Sequence, residues 1–287
     1  MTVGLASRRA TTARVRRSFA GGDWISRACV GFLVLVVLGA VLAPLLAPYG
    51  PNQINLAAAY QGLSSQHLLG TDDLGRDIFS RLLYGARLPL LGAGLIDGIA
   101  TALGLAVATT AAWVGGWLDA VVSRTLDVLF AFPGLLLAIL AVALFGPGFV
   151  APVIALAIAY TPYMARLIRS VAIRERSKPY IDACSVQGWS GAWICVRHLL
   201  PNLLPFVVVQ ATVSFGYALI DLASLSFLGL GVQPPAADWG LMISEGEPGI
   251  LAHHPAEALF PGLMIILTVT ALVTFGERRG ALRSRLR

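Results

Sequence analysis

Residues 128–165 read VLFAFPGLLLAILAVALFGPGFVAPVIALAIAYTPYMA, a run of 38 residues without Asp, Glu, Lys or Arg. A helix needs about 20 mostly apolar residues to cross the hydrocarbon core of a bilayer. At a rise of about 1.5 Å per residue, this run is long enough to cross twice. Glycine and proline cluster near its middle, at residues 146–152, and favour a turn there. The stretch predicts two membrane-spanning helices joined by a short outer turn.

Four further apolar runs lie on either side of this stretch. They are residues 28–48, the run between Arg87 and Asp119, residues 203–230 and residues 258–276. The chain is 57% hydrophobic and only 13% charged, whereas soluble domains contain about 25% charged residues. This composition excludes ordinary soluble and disordered chains. We therefore predict an all-α, polytopic membrane protein with six transmembrane helices.

The distribution of basic residues predicts the orientation of these helices. The side with both termini would hold 18 of the 21 lysine and arginine residues, in residues 1–27, 116–127, 166–202 and 277–287. Cytoplasmic loops are enriched in lysine and arginine, so we expect this side to be cytoplasmic. The first 48 residues could alternatively be a signal peptide. Their apolar run, however, exceeds the usual signal core of about 7–15 residues.

The predicted organisation follows from these spans. It consists of a basic cytoplasmic tail (1–24), the first transmembrane helix (25–48), an extracytoplasmic loop with an amphipathic helix (49–87), a core of five transmembrane helices (88–276) that includes a cytoplasmic loop (173–202), and a basic cytoplasmic tail (277–287).

The residue types exclude two kinds of binding site. A Walker A loop needs Gly-Lys followed by Ser or Thr, but the single lysine, Lys178, follows Ser177. Cys29, Cys184 and Cys195 lack the spacing of metal ligands, so we expect them to be reduced and structural.

Residues 178–202, KPYIDACSVQGWSGAWICVRHLLPN, interrupt the apolar pattern. Pro179 suits the first turn of a helix, where a missing N–H costs nothing. Residues 180–187 can form two turns, and Gly188 can adopt the left-handed conformation that ends a helix. The stretch therefore begins with a short predicted helix.

A second short helix is predicted at residues 189–199, and Pro201 should prevent it from continuing. In the first helix the single acid, Asp182, precedes the small side chains of Ala183, Cys184 and Ser185. A small, nearly uncharged helix face lets another protein approach closely. An ordinary cytoplasmic loop is the alternative interpretation.

This stretch resembles the EAA loop of ABC importer permeases. In that family, acid-Ala-Ala-x-x-x-Gly is followed after nine residues by Ile-x-Leu-Pro. Residues 182–188 (DACSVQG) and 198–201 (HLLP) keep the same register. Asp182 replaces the usual Glu, Cys184 replaces the second Ala and His198 stands at the Ile position.

Other segments are similar to the permeases of dipeptide, oligopeptide and nickel importers, and to the second of their two permease subunits. They are HLLGTDDLGRDIFSRLLYGAR (67–87), DVLFAFPGLLLAI (127–139), ASLSFLGLGVQPPAADWG (223–240) and ALFPGLMIILTV (258–269).

The resemblance implies a type I ABC importer permease fold in a bacterial plasma (inner) membrane. It implies a heterodimer with a homologous permease, two ATPase subunits that bind ATP and Mg, and an extracytoplasmic solute-binding protein. This chain would contact membrane lipid but no nucleic acid, and it would have no catalytic residues and no cofactor of its own. The expected cargo is a short peptide, with nickel-chelate or glutathione-like cargo as alternatives. An ion-coupled carrier, a channel or a membrane-embedded enzyme would be a different class.

The resemblance also implies that residues 182–188 form a coupling helix that lies in a cleft on an ATPase subunit. The residues expected to act in coupling are Tyr180, Asp182, Ala183, Cys184, Gly188, Leu200 and Pro201.

Three acids lie within or beside the predicted spans, where ionisable side chains are costly and often functional. Asp97, Asp127 and Asp221 are therefore candidates for the translocation path. Pairing of Asp127 with a nearby basic residue such as Arg124 is an alternative. The family commonly has Glu at the position of Leu222, one residue after Asp221. A shift of one residue rotates a helical side chain by about 100°, so Asp221 is not taken as the equivalent of that Glu.

The segment GTDDLGRDIFSRLLYG (70–85) predicts an outer helix capped by Thr71 or Asp72. It could be a structural elbow, or it could face the binding protein. The candidate receptor-facing residues are Asp72, Asp73, Arg76 and Asp77. The adjacent His253 and His254 are weak evidence for a metal, so no metal site is predicted.

Overall fold

A computed structural model describes the backbone of residues 24–284 and the side chains of residues 24–280. The predicted tail at residues 1–24 lies outside this part except for Trp24, as do residues 285–287 of the second tail. The described backbone is predominantly helical, and its only β contact is an isolated bridge between Thr71 and Asp77. This confirms the prediction of an all-α protein.

Thirteen helices are described in chain order. They are α1 (Trp24–Val41), α2 (Ala43–Leu46), α3 (Ile78–Gly85), α4 (Arg87–Val114), α5 (Gly116–Phe130), α6 (Gly134–Phe145), α7 (Val150–Arg176), α8 (Pro179–Val186), α9 (Gly191–Ile194), α10 (Leu200–Phe227), α11 (Trp239–Glu245), α12 (Glu247–Leu251) and α13 (Ala256–Ser284). A 3₁₀ turn covers Leu56–Ala58 and a π-helical turn covers Cys195–Leu199.

Five helical segments are long and apolar enough to cross a membrane, and a bent pair supplies a sixth. The five are α1, α3 with α4, α7, the segment Gly191–Phe227 and α13, and the bent pair is α5 with α6. The order agrees with the six predicted spans. Helix α13 continues to Ser284, so most of the predicted tail at 277–287 is helical.

The third span differs from a simple straight helix. Helix α6 has 12 residues, or about 18 Å of rise, which is too short to cross alone. Helix α5 precedes it across a bend of 74°. Pro133 lies at the break, where it lacks an N–H and disfavours helical geometry at Phe132. The stretch 116–127, predicted as a cytoplasmic connection, is therefore part of a helix.

Helices α4, α7 and α10 pack closely and form the centre of the bundle. Small side chains permit this approach, because a Cβ on Gly104 would lie only 2.9 Å from the backbone nitrogen of Ala165. The buried cluster contains Ala100, Ala108, Ala112, Met164, Ile168, Ala172, Leu199, Leu203 and Val207. This packing fixes the two ends of the bundle relative to each other.

Candidate functional site

The first predicted helix of the cytoplasmic stretch is α8. Pro179 occupies its first turn and Gly188 follows its end with φ of +83°. The N–H of Gly188 donates to the carbonyl of Ser185 at 3.0 Å, and the N–H of Trp189 donates to that of Cys184 at 3.3 Å. This left-handed ending confirms the conformation predicted for Gly188.

Helix α8 is held on one face and free on the other. Ile181 is buried, whereas Asp182, Ala183 and Gly188 are exposed and Cys184 is half-buried. Val186 is 88% exposed, although its side chain is apolar. The small and apolar side chains of this face are thus available to a second protein.

Tyr180 fastens α8 to the bundle instead of facing outward. Its hydroxyl donates to Oε1 of Glu175 at 3.0 Å and accepts from Nδ2 of Asn202 at 2.9 Å. Lys178 Nζ lies 2.7 Å from Oε2 of Glu175, which is itself buried. Burial raises the pKa of the Tyr180 phenol above its usual value. The two ends of the loop, on α7 and α10, are thereby tied through one hydroxyl.

The prediction that Pro201 ends the second helix is wrong. Helix α9 is only four residues long, and a π-helical turn at Cys195–Leu199 leads from it into α10. The N–H of Leu200 bonds to the carbonyl of Cys195 in this wider turn. Pro201 lies in the first turn of α10, where a missing N–H is tolerated. Leu200 is half-buried and Pro201 is exposed, and the helix continues through both.

An aromatic cluster joins Tyr180 of α8 to Trp189, Trp193 and His198, and sequence reasoning missed it. The ring centroids of Trp189 and Trp193 are 3.8 Å apart, and that of His198 lies 5.5 Å from Trp189 and 5.3 Å from Trp193. In the sequence, the signal for this cluster was the pair of tryptophans, four residues apart, that follows Gly188. Trp189 and Trp193 are themselves exposed, so the cluster adds aromatic surface to this side of the loop.

Asp221 lines an open cleft of about 490 Å³ at the break between α5 and α6. The hydroxyl of Tyr160, on α7, donates to Oδ2 of Asp221 at 2.9 Å. The other lining residues are Phe130, Phe132, Pro133, Gly134, Ala159, Tyr163 and Tyr217. The cleft is therefore aromatic with a single carboxylate, which suits an organic solute that carries a positive group.

The other two predicted path acids do not line this cleft. Asp97 is buried in α4, and its Oδ1 has no hydrogen-bond partner among the described residues. The alternative that Asp127 pairs with a basic residue is confirmed, although its partner is Nη2 of Arg166, at 2.9 Å, and not Arg124. The Arg166 guanidinium also lies 4.4 Å from the ring of Phe130, at the edge of the cleft. Of the three acids, only Asp221 lines this cleft.

Comparison with known proteins assigns the chain to a family. Residues 100–278 match the family described as "Binding-protein-dependent transport system inner membrane component". The chain belongs to this family of ABC importer permeases. Residues 24–62 match the N-terminal TM domain of oligopeptide transport permease C.

Two curated relatives each match most of this chain. The dipeptide transport system permease protein DppC of Alkalihalophilus pseudofirmus is 40% identical over 253 residues, which are 87% of this chain and 83% of the relative. The glutathione transport system permease protein GsiD of Escherichia coli is 40% identical over 247 residues, 86% of this chain and 81% of the relative.

At the opposite end of the permease from α8, the outer segment differs from its prediction. Helix α3 begins at Ile78 and is capped by Asp77, whose carboxylate accepts the N–H of Ser80 at 2.8 Å. Neither Thr71 nor Asp72 caps it. Thr71 instead pairs with Asp77 in the isolated bridge, so a tight loop precedes the helix.

The predicted receptor-facing surface is also largely wrong. Asp72, Arg76 and Asp77 are buried, and only the Asp73 side chain is substantially exposed, at 46%. Nε of Arg76 donates to Oδ2 of Asp72, and His67 Nδ1 lies 3.0 Å from Oδ1 of Asp77. Arg76 was expected on the surface because its further partner, Glu245, is 169 residues away in sequence. A receptor contact stays a prediction for Asp73 alone.

Helices α11 and α13 supply those distant partners. Nη2 of Arg76 donates to Oε2 of Glu245 at 3.2 Å, and Arg81 donates to the same oxygen. Arg76 Nη2 also lies 3.8 Å from Oε1 of Glu257. The exposed ring of His254 stacks on Tyr60 with centroids 4.9 Å apart. His254 thus takes part in ring packing beside this ionic network.

Proposed function

We propose that this permease imports short peptides as one half of a translocation path. The observation that carries the proposal is that α7 and α10 join the exposed loop at α8 to the aromatic cleft. Helix α7 bears Tyr160 and leads into α8, and α10 runs from the loop to Asp221. From Leu200 to Asp221 the rise is about 30 Å. A displacement at the loop therefore reaches the cleft along continuous helices.

In this mechanism α8 lies in a cleft on an ATPase subunit. Closure of two ATPase subunits, which bind ATP and Mg, would move α8 and its counterpart on a homologous permease. The exposed Asp182, Ala183 and Val186 would contact the ATPase, while Tyr180 transmits the force to α7 and α10. The chain contributes shape and leverage and no catalytic residue.

The cargo and the remaining partners belong to the same proposal. A dipeptide permease and a glutathione permease, each 40% identical to this chain, support short peptides or glutathione-like cargo. An extracytoplasmic binding protein would deliver the cargo to the heterodimer. The basic residues at the α8 end support a bacterial plasma membrane location with both termini in the cytoplasm.

The test is an affinity purification in mild detergent through a tag on this permease. The native chain should retain a second permease and ATPase subunits. Val186→Arg should retain the second permease but lose the ATPases, because it places a charge on the small exposed face of α8. Glu247→Gln, an exposed change at the opposite end, is the matched control. Absence of ATPases from the native preparation, or their retention by Val186→Arg, contradicts the coupling role.

A further inference from the structure

Asp221 is an acid within a span that has no cationic partner among the described residues. It lies on α10, inside a segment long and apolar enough to cross a membrane. The hydroxyl of Tyr160 donates to its Oδ2 at 2.9 Å, and no other described residue forms a hydrogen bond or an ion pair with this carboxylate. Ionisable side chains in spans are costly, and they usually pair with a charge or mark the path of a substrate. The charge that would pair with Asp221 therefore comes from outside the described residues.

The carboxylate faces an open cleft that lies deep in the membrane. Tyr160 is about 15 Å of helical rise from Val150, where α7 begins. The hydrocarbon core is about 30 Å thick, so this hydroxyl lies near its middle, where transporters commonly bind their substrates. The cleft volume of about 490 Å³ is within the range of about 300–1,000 Å³ that small-molecule sites occupy. Depth and size both favour a small solute as the source of the charge.

The walls of the cleft are suited to an organic cation. Its aromatic lining residues are Phe130, Phe132, Tyr160, Tyr163 and Tyr217. The faces of aromatic rings attract cations, and several rings together form the sites that recognise ammonium ligands. One of these rings already has a cation beside it, because the Arg166 guanidinium lies 4.4 Å from the ring of Phe130. Arg166 is paired with Asp127 and makes no ion pair with Asp221.

Because the chain is proposed above to import short peptides, we propose that Asp221 binds a primary ammonium group of the cargo in this cleft. An ammonium group has three N–H donors, so it can donate to Oδ1 of Asp221 while its carbon chain lies against the rings. Tyr160 is a positioning residue, since its bond to Oδ2 holds the carboxylate in place. The permease itself, and not only the binding protein, then favours cargo with a free amino group.

The test measures binding of dipeptides to the purified complex in lipid nanodiscs, without nucleotide or binding protein. Saturation-transfer NMR is appropriate, because irradiation of aromatic protons in the protein reaches only a bound peptide that has no ring of its own. Alanyl-leucine carries an ammonium group at its amino terminus. N-acetyl-alanyl-leucine carries none, and N-acetyl-alanyl-lysine carries one only on its side chain.

The native complex should bind alanyl-leucine at least about tenfold more tightly than its N-acetyl form, because acetylation removes a hydrogen-bonded charge. The lysine peptide distinguishes the two sources of the ammonium group. If N-acetyl-alanyl-lysine binds as tightly as alanyl-leucine, the cleft accepts any primary ammonium group. If it binds as weakly as N-acetyl-alanyl-leucine, the cleft requires the amino terminus.

Asp221→Asn keeps the shape of the side chain and removes its charge. Its affinity for alanyl-leucine should fall about tenfold, to that for the N-acetyl form. Tyr160→Phe should cause a smaller loss, because the ring and the charge both remain. Glu247→Gln, an exposed change away from the cleft, is the control and should keep the native preference. Thermal unfolding of each complex shows whether the variant is folded.

Equal binding of alanyl-leucine and its N-acetyl form by the native complex overturns the proposal, and so does a native preference in Asp221→Asn. A native complex that binds none of these peptides overturns it as well. Failure of the import function gives a different result, since proteoliposomes with ATP and binding protein would then not take up labelled alanyl-leucine. Uptake without an ammonium preference in the cleft would leave peptide import standing and remove only the role of Asp221.

Discussion

Replacing Gly188 tests the geometry of the coupling loop most directly. Its φ of +83° is unfavourable for residues with a Cβ, and apart from its chain neighbours no described atom lies within 4 Å of a Cβ built there. The cost of Gly188→Val is therefore a backbone cost, about 1–2 kcal/mol for the left-handed region. At about 1.4 kcal/mol per tenfold change, the equilibrium constant for the native loop conformation falls about 5- to 30-fold.

The matched variant is Gly188→Asn, because Asn enters the left-handed region more readily than other residues with a Cβ. Uptake of a labelled dipeptide into membrane vesicles should fall for Gly188→Val, by up to about 30-fold, and far less for Gly188→Asn. Immunoblots should show equal amounts of permease in the membrane. Native uptake by Gly188→Val, or equal loss in both variants, would refute the argument from φ.

Three further changes test the loop and the cleft. Ala183→Trp should abolish ATP-dependent uptake without affecting membrane insertion, which uptake assays and immunoblots would measure; normal uptake would contradict docking at α8. Tyr180→Phe removes bonds to Glu175 and Asn202 and should lower stability by about 1–3 kcal/mol, as thermal unfolding would show. Asn202→Ala, which removes only one of them, should cost less, and an equal cost would contradict this reasoning. Asp221→Asn should reduce peptide uptake while the ATPases still co-purify; unchanged uptake would remove Asp221 from the path.

The sequence was most informative where a structural choice depends on neighbouring residues. The uncharged run at 128–165 predicted two crossings because length and hydropathy are local properties. Gly188 was predicted correctly because its conformation is required at a helix end. The bend before α6 was not predicted, although Pro133 was visible. Whether a proline bends a span or starts it depends on packing, here against α7.

Partners that are distant in sequence explain most of the errors. The charges of Asp72, Arg76 and Asp77 read as an exposed helix face, but Arg76 reaches Glu245, 169 residues away. Asp221 was singled out only as an intramembrane acid. Its bond to Tyr160 and its aromatic surroundings depend on how α7 and α10 pack. No local pattern could have specified these contacts.

The continuity of α7 and α10 between loop and cleft has a thermodynamic consequence. If binding of an ATPase at α8 changes the affinity of the cleft for cargo, cargo in the cleft must change the affinity of the permease for that ATPase by the same factor. The reciprocity holds whichever event comes first. Cargo in the cleft beside Asp221 would thus change the affinity for the ATPase at α8, about 30 Å away, without contacting nucleotide.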